Sequence, residues 1–171
     1  SLFSPSFNPN NNNELVAACD MTVLFRSANL GLTWSVVPFQ EIVGNRGSRV
    51  QFTSDPQILY ALDYSLEDAS NVTRPSRSVD GGTTWTRVVD PTGGESYTLF
   101  ADPASTTRLL LSDYSNLYFS NNSGTSWTTK YSAATGSGLV LAGVFWDGTN
   151  IYAGTNDGLL VSNSNGSSFS N

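Results

Sequence analysis

Short β-prone apolar runs, bounded by Gly, Pro, Asn, Asp and Ser, recur along the whole chain. Runs of this length and bounding predict strands rather than helices. They come in groups of four: 2–7, 14–19, 22–28 and 34–37, then 49–53, 58–62, 75–79 and 84–89. The third group is 97–101, 108–112, 116–121 and 126–131. The fourth is 138–145, 150–154, 158–162 and a last strand ending at Asn171. Asn8-Pro9, Asp55-Pro56, Asp102-Pro103 and Asp147-Gly148 supply the first turn of each group. Four-stranded groups repeated in this way predict an all-β chain, a β-propeller of four blades. The blades are expected at about 1–43, 44–92, 93–134 and 135–171 of a single propeller segment.

The third turn of each group carries one octet. Ser78-Val79-Asp80-Gly81-Gly82-Thr83-Thr84-Trp85 is its fullest form. Ser27 to Trp34 precedes it, and Ser120 to Trp127 and Ser162 to Phe169 follow. The closing aromatics stand at 34, 85, 127 and 169, a repeat of 42 to 51 residues. Asp, Asn and Ser in such a turn accept hydrogen bonds from backbone N–H groups two or three residues on. Gly31, Gly82, Gly124 and Gly166 hold one fixed place, as expected where the turn needs positive φ. The aromatic that follows can fold back under the turn and bury its ring between sheets.

The octet resembles the Asp-box, Ser-x-Asp-x-Gly-x-Thr-Trp. That box marks the propellers of sialidases, xyloglucanase-type glycoside hydrolases, sortilin-type receptors and photosystem assembly factors. Ser78, Asp80, Gly82 and Trp85 match every fixed position. Ser27, Asn29, Gly31 and Trp34 depart at the Asp, as do Ser120, Asn122, Gly124 and Trp127. Ser162, Gly166 and Phe169 form the weakest copy, with Ser164 in place of Asp. The resemblance implies a structural role for these residues, away from a binding face, and does not specify an activity.

Composition narrows the function classes. Hydrophobic residues make up 39% of the 171 residues and charged residues only 13%, which indicates a globular chain. Abundant Ser, Thr, Asn and Gly suit an exported β-protein, so an extracellular or periplasmic location is expected. A net charge of -6 argues against nucleic acid and anionic membranes as partners. The single Cys19 cannot form an internal disulfide, and with no histidine there is no Cys/His zinc site. Cys19 reads as a buried small apolar residue. The Asn-rich 8–13 segment and Asp147/Asn150 match no calcium-loop spacing, so neither metal nor cofactor is expected.

Topology sorts the turns by face. First and third turns share one end of an up-and-down blade; second turns and interblade links share the other. Long loops at the latter end, including the insert 65–75, are where binding is expected. Tyr64 and Tyr114 in second turns, and Glu67 and Arg74 in the insert, are the candidate ligand contacts there. Trp146, beside a first turn, is a fifth. Asp20 is the candidate catalytic carboxylate. Its setting, Asp20-Met21-Thr22-Val23-Leu24-Phe25-Arg26, resembles the Asp-Val-Gly-Gly-Ala-Tyr-Arg segment of xyloglucanase-type enzymes, with the Gly-Gly missing. The resemblance places the second carboxylate that glycoside hydrolysis needs in another propeller domain, absent here. Asp63 and Asp113 occupy the same blade position as Asp20, which favours a turn device over a unique catalyst. The sialidase Phe-Arg-Ile-Pro signature is absent.

These readings favour a non-catalytic scaffold that binds a glycan or protein ligand on the face opposite the octets. The alternatives are part of a glycoside hydrolase and a structural or assembly subunit. Four blades with open sheet edges point to further blades as partners, from the same longer chain or from another copy.

Overall fold

A computed structural model describes residues 2–19, 23–44, 49–64, 72–134, 136 and 138–171. The first sheet contains β1 (Leu2–Asn8), β2 (Asn11–Cys19), β3 (Leu24–Ser27) and β4 (Ser35–Val37). The second contains β5 (Gln51–Phe52), β6 (Leu59–Asp63), β7 (Arg74–Ser78) and β8 (Thr86–Arg87). The third contains β9 (Thr98–Ala101), β10 (Leu109–Ser112), β11 (Asn116–Ser120) and β12 (Thr128–Ser132). The fourth contains β13 (Leu141–Asp147), β14 (Asn150–Thr155) and β15 (Gly158–Ser162). Each sheet is antiparallel with its strands in sequence order, and no helix occurs among the described residues. This is the arrangement of a four-blade β-propeller.

The strands depart from the sequence expectation at several ends: β2 begins at Asn11, β5 spans only Gln51–Phe52, and β13 runs from Leu141 to Asp147. In the fourth sheet a single bridge between Val161 and Ser170 replaces a full outer strand. β8 stops at Arg87, although the Val88 N–H still donates to Pro75 O of β7 at 3.0 Å. The Val89 N–H donates to Gly124 O at 3.1 Å, in the octet turn of the next blade.

The sheets share one register. The first serine of the octet pairs with Leu15, Leu59, Leu109 and Ile151 in blades one to four. Because side chains alternate across a strand, this fixes which residues face which neighbour. Val16, Ala18, Leu24 and Val37 of blade one pack with Leu59, Ala61 and Trp85 of blade two. Tyr60 and Leu62 of blade two pack with Leu99, Leu109, Leu111 and Tyr118 of blade three. Leu110, Leu117 and Phe119 of blade three pack with Ile151, Ala153 and Leu160 of blade four. The apolar core is therefore three interblade seams. Among the described residues, no such cluster joins blade four to blade one.

Each octet is a hydrogen-bonded turn, tied also to the start of its blade: the N–H groups of Leu30, Gly81, Ser123 and Asn165 donate to the carbonyls of Asn13, Gln57, Thr107 and Thr149. The buried Ser78 hydroxyl oxygen accepts the Gly82 N–H at 2.8 Å, and Ser27, Ser120 and Ser162 do the same for Gly31, Gly124 and Gly166. The third residue accepts the N–H of the seventh: Asp80 from Thr84 at 2.9 Å, Asn29 from Thr33 at 2.9 Å, and Asn122 from Ser126 at 3.0 Å. In the fourth octet the Ser164 hydroxyl oxygen takes that part for Ser168 at 3.1 Å. Asp, Asn and Ser thus serve one acceptor function at one place. The fifth-position glycines have φ between 77° and 90°, the left-handed region that favours glycine.

Candidate functional site

At the second-turn end of the propeller, several described polar groups bond to one another or to backbone. Asp63, at the end of β6, is buried, and its Oδ1 accepts the Val43 N–H at 2.9 Å from the link that follows blade one. Its Oδ2 lies 3.8 Å from Arg87 Nε. Asp113 accepts the N–H groups of Ser115 and Asn116 at 2.7 and 2.6 Å, which closes its own turn. The Tyr118 hydroxyl donates to Asp113 Oδ2 at 2.7 Å. Burial first, then that bond and the Asp113 charge, push the Tyr118 phenol up to about 12. Both carboxylates hold backbone in place, as their repeated position suggests.

Three of the candidate ligand contacts lie at this end. Arg74, at the start of β7, pairs with Asp90 at 2.8 Å. Tyr114 is exposed, and its ring sits 6.0 Å from that of Tyr97 in a tilted pair. Tyr64 is half-buried, and its N–H donates to Val43 O at 2.8 Å. Asp20 and Glu67 lie outside the described residues. Among the described residues, no group of three carboxylate or thiol side chains converges as a metal site would require.

A concavity lies elsewhere, along the propeller axis. It is a cleft of about 630 Å³, lined by the first strand of every blade. β1 contributes Phe7, β5 contributes Phe52, β9 contributes Phe100, and β13 contributes Phe145 and Trp146. Pro9 and Pro103 extend the lining to the first-turn end, which is also the octet end. Among the described residues, Arg49 is the one charged residue in the lining, and no carboxylate contributes to it. Arg49 is exposed and has no ion-pair partner among the described residues.

Trp146 is the one sequence-level candidate that reaches this cleft. Its orientation is set from behind. The Arg108 guanidinium carbon stands 5.4 Å from the indole centroid, and Arg108 Nε donates to the buried Asp102 carboxylate at 2.7 Å. A further Arg108 nitrogen donates to Asn165 in the fourth octet. The carboxylate fixes the guanidinium, and the guanidinium faces the ring, a cation–π arrangement. The other lining residues belong to no local motif. Their signal in the sequence is a phenylalanine in the first strand of each group, at 7, 52, 100 and 145.

No protein-family model and no curated protein sequence matches the chain. Solved structures do match. An ancestral GH74 enzyme superposes with a TM-score of 0.73 at 18% identity, covering 98% of this chain and 23% of its own. The GH74 xyloglucanase from Xanthomonas campestris gives 0.68 at 18%, covering 97% of this chain and 29% of its own. YCF48 from Cyanidioschyzon merolae gives 0.60 at 20%, covering 94% and 52%. The likeness is one of fold. The chain spans from about a quarter to about half of each of these proteins.

Proposed function

We propose that this chain is an Asp-box propeller scaffold of an exported protein that binds a glycan without cleaving it. The observation that carries this reading is the composition of the axial cleft. Phe7, Phe100, Phe145 and Trp146 offer ring faces and edges around Arg49, with no carboxylate in the lining among the described residues. Aromatic faces suit the apolar faces of sugar rings. Glycoside hydrolysis, in contrast, needs two carboxylates flanking the bond. At the second-turn end the described Asp63, Arg74 and Asp113 are engaged by protein partners, which favours the axial cleft as the binding surface. Further blades, from the same longer chain or from another copy, complete the propeller around it.

Titration with xyloglucan and β-glucan oligosaccharides, followed by tryptophan fluorescence and by a reducing-end assay, tests the reading. Saturable binding with no new reducing ends is the expected result. Trp146→Ala should weaken it about fivefold, the loss of one aromatic contact of about 1 kcal/mol. New reducing ends that disappear in Asp20→Asn would establish the hydrolase alternative instead. Binding that ignores Trp146→Ala would move the site out of the cleft. No binding to any oligosaccharide, with capture of a peptide ligand, would make the ligand a protein.

A further inference from the structure

Several exposed apolar side chains lie on two sheet faces, one on blade one and one on blade four, and the repeat shows what belongs there. In every blade the octet aromatic turns toward the preceding blade. Trp85 joins the core between blades one and two, Trp127 packs on the core between two and three, and Phe169 on the core between three and four. Trp34 adopts the same position under its turn: a Cβ placed on Gly31 would stand 3.4 Å from the Trp34 ring, as one on Gly124 would from Trp127. Yet Trp34 is 46% exposed and Trp85 only 8%. Phe7 and Val36, on the same face of blade one by register, are also exposed.

Blade four presents the opposite kind of face. Phe145, Tyr152, Leu159 and Val161 point away from the core shared with blade three. Phe145 is 66% exposed and Leu159 is 53% exposed. Tyr152 and Val161 occupy the places that Leu110 and Phe119 hold in blade three, where they receive blade four. Phe119 there lies directly under Gly166 of the incoming octet.

The first octet is itself unusual. Leu30 and Leu32 stand where the other octets carry Gly81, Ser123 or Asn165 and Thr83, Thr125 or Ser167. Leu32 is 82% exposed. In the fourth octet the equivalent residues, Asn165 and Ser167, border the seam with blade three next to Lys130. The octet that meets no neighbouring blade among the described residues is thus the one with two leucines at its seam positions.

We propose that a second copy of this chain docks blade one against the open face of blade four. Trp34, Leu30 and Leu32 then seat on Tyr152, Leu159 and Val161 and continue the established interblade packing by one more seam. This rests on the reading that further blades complete the propeller, and it identifies their source as another copy. The contact is head-to-tail, so it closes into a ring or extends, according to the rotation per blade.

Sedimentation or light scattering across a concentration series tests it. The wild-type chain should show at least twice the 18.3 kDa mass of one copy. Leu32→Asp and Leu159→Asp, neither of which lines the axial cleft, should each reduce the mass to that of one copy. An equimolar mixture of the two variants should regain a dimer, because one intact blade-one face meets one intact blade-four face. A strictly monomeric wild type at every concentration overturns the proposal, as does an assembly that persists in both variants. Oligosaccharide binding is read separately, so a monomer that binds sugar would reject the docking and leave the binding function standing. A dimer without sugar binding would do the reverse.

Discussion

Trp85 and Trp34 close the same turn in the same way and live in different surroundings. Trp85 fills the seam against blade one, and its indole N–H donates to Gly82 O at 3.1 Å. Trp34 faces the side where no core forms among the described residues. The octet therefore builds its turn within its own blade, and the neighbouring blade determines what the aromatic contributes to stability. Local hydrogen bonding and interblade burial are separable in this fold, and each can be disturbed alone.

The largest expected contrast lies between equivalent positions of a covered and an open face. Leu110→Ala removes a fully buried side chain from the seam between blades three and four. It should cost about 2–5 kcal/mol in denaturant unfolding. In the Leu32→Asp background, Tyr152→Ala, at the same blade position on the open face, should cost about 1 kcal/mol or less.

A glycine pair sharpens the comparison. Gly124 and Gly31 both have φ near 80°, so alanine strains either backbone by about 1–2 kcal/mol. At Gly124 the new methyl would also meet Val88 of the preceding blade at 2.8 Å. Overpacking of that kind adds about 1–3 kcal/mol. At Gly31 the nearest atoms are those of the Trp34 ring at 3.4 Å. Gly124→Ala should therefore unfold at clearly lower denaturant than Gly31→Ala.

The smallest effect isolates the turn from the seam. Burial pushes the Asp80 carboxyl up, but hydrogen bonds from Thr84, Ser78 and Thr83 outweigh it and hold the carboxyl at about 2, below its ordinary 3.8. A depressed folded value stabilises the protein above the ordinary value, and that stabilisation is lost as pH falls from about 4 toward 2. For so exposed a carboxyl, solvent screening limits the effect to about 1 kcal/mol. Asp80→Asn should keep the turn, since Asn29 and Asn122 accept the same bond. It should also remove this part of the acid sensitivity in stability measured between pH 5 and pH 2.5.

The propeller was legible because its determinants are local and repeated. A turn serine, a positive-φ glycine and an aromatic at a fixed spacing announce each blade, and apolar runs on either side supply the strands. The axial cleft was less legible. Phe7, Phe100 and Phe145 meet only because three sheets converge, and no short-range pattern encodes that convergence. Trp146 was singled out at a first turn, but its support by Arg108 and Asp102 joins blades three and four across more than 35 positions. At the second-turn end, the repeated Asp63 and Asp113 did point to backbone-holding roles. The pairing of Arg74 with Asp90 was hidden, because its partners come from a strand start and an interblade link.

The measurement that bears most directly on the seam account is denaturant unfolding of Trp85→Ala beside Trp34→Ala. Both are best made in the Leu32→Asp background, which keeps the chain monomeric. Trp85→Ala should lose about 3–5 kcal/mol and Trp34→Ala less than about 1 kcal/mol. Equal losses at the two positions would contradict the account, because the aromatic would then stabilise its own turn rather than the seam with the preceding blade.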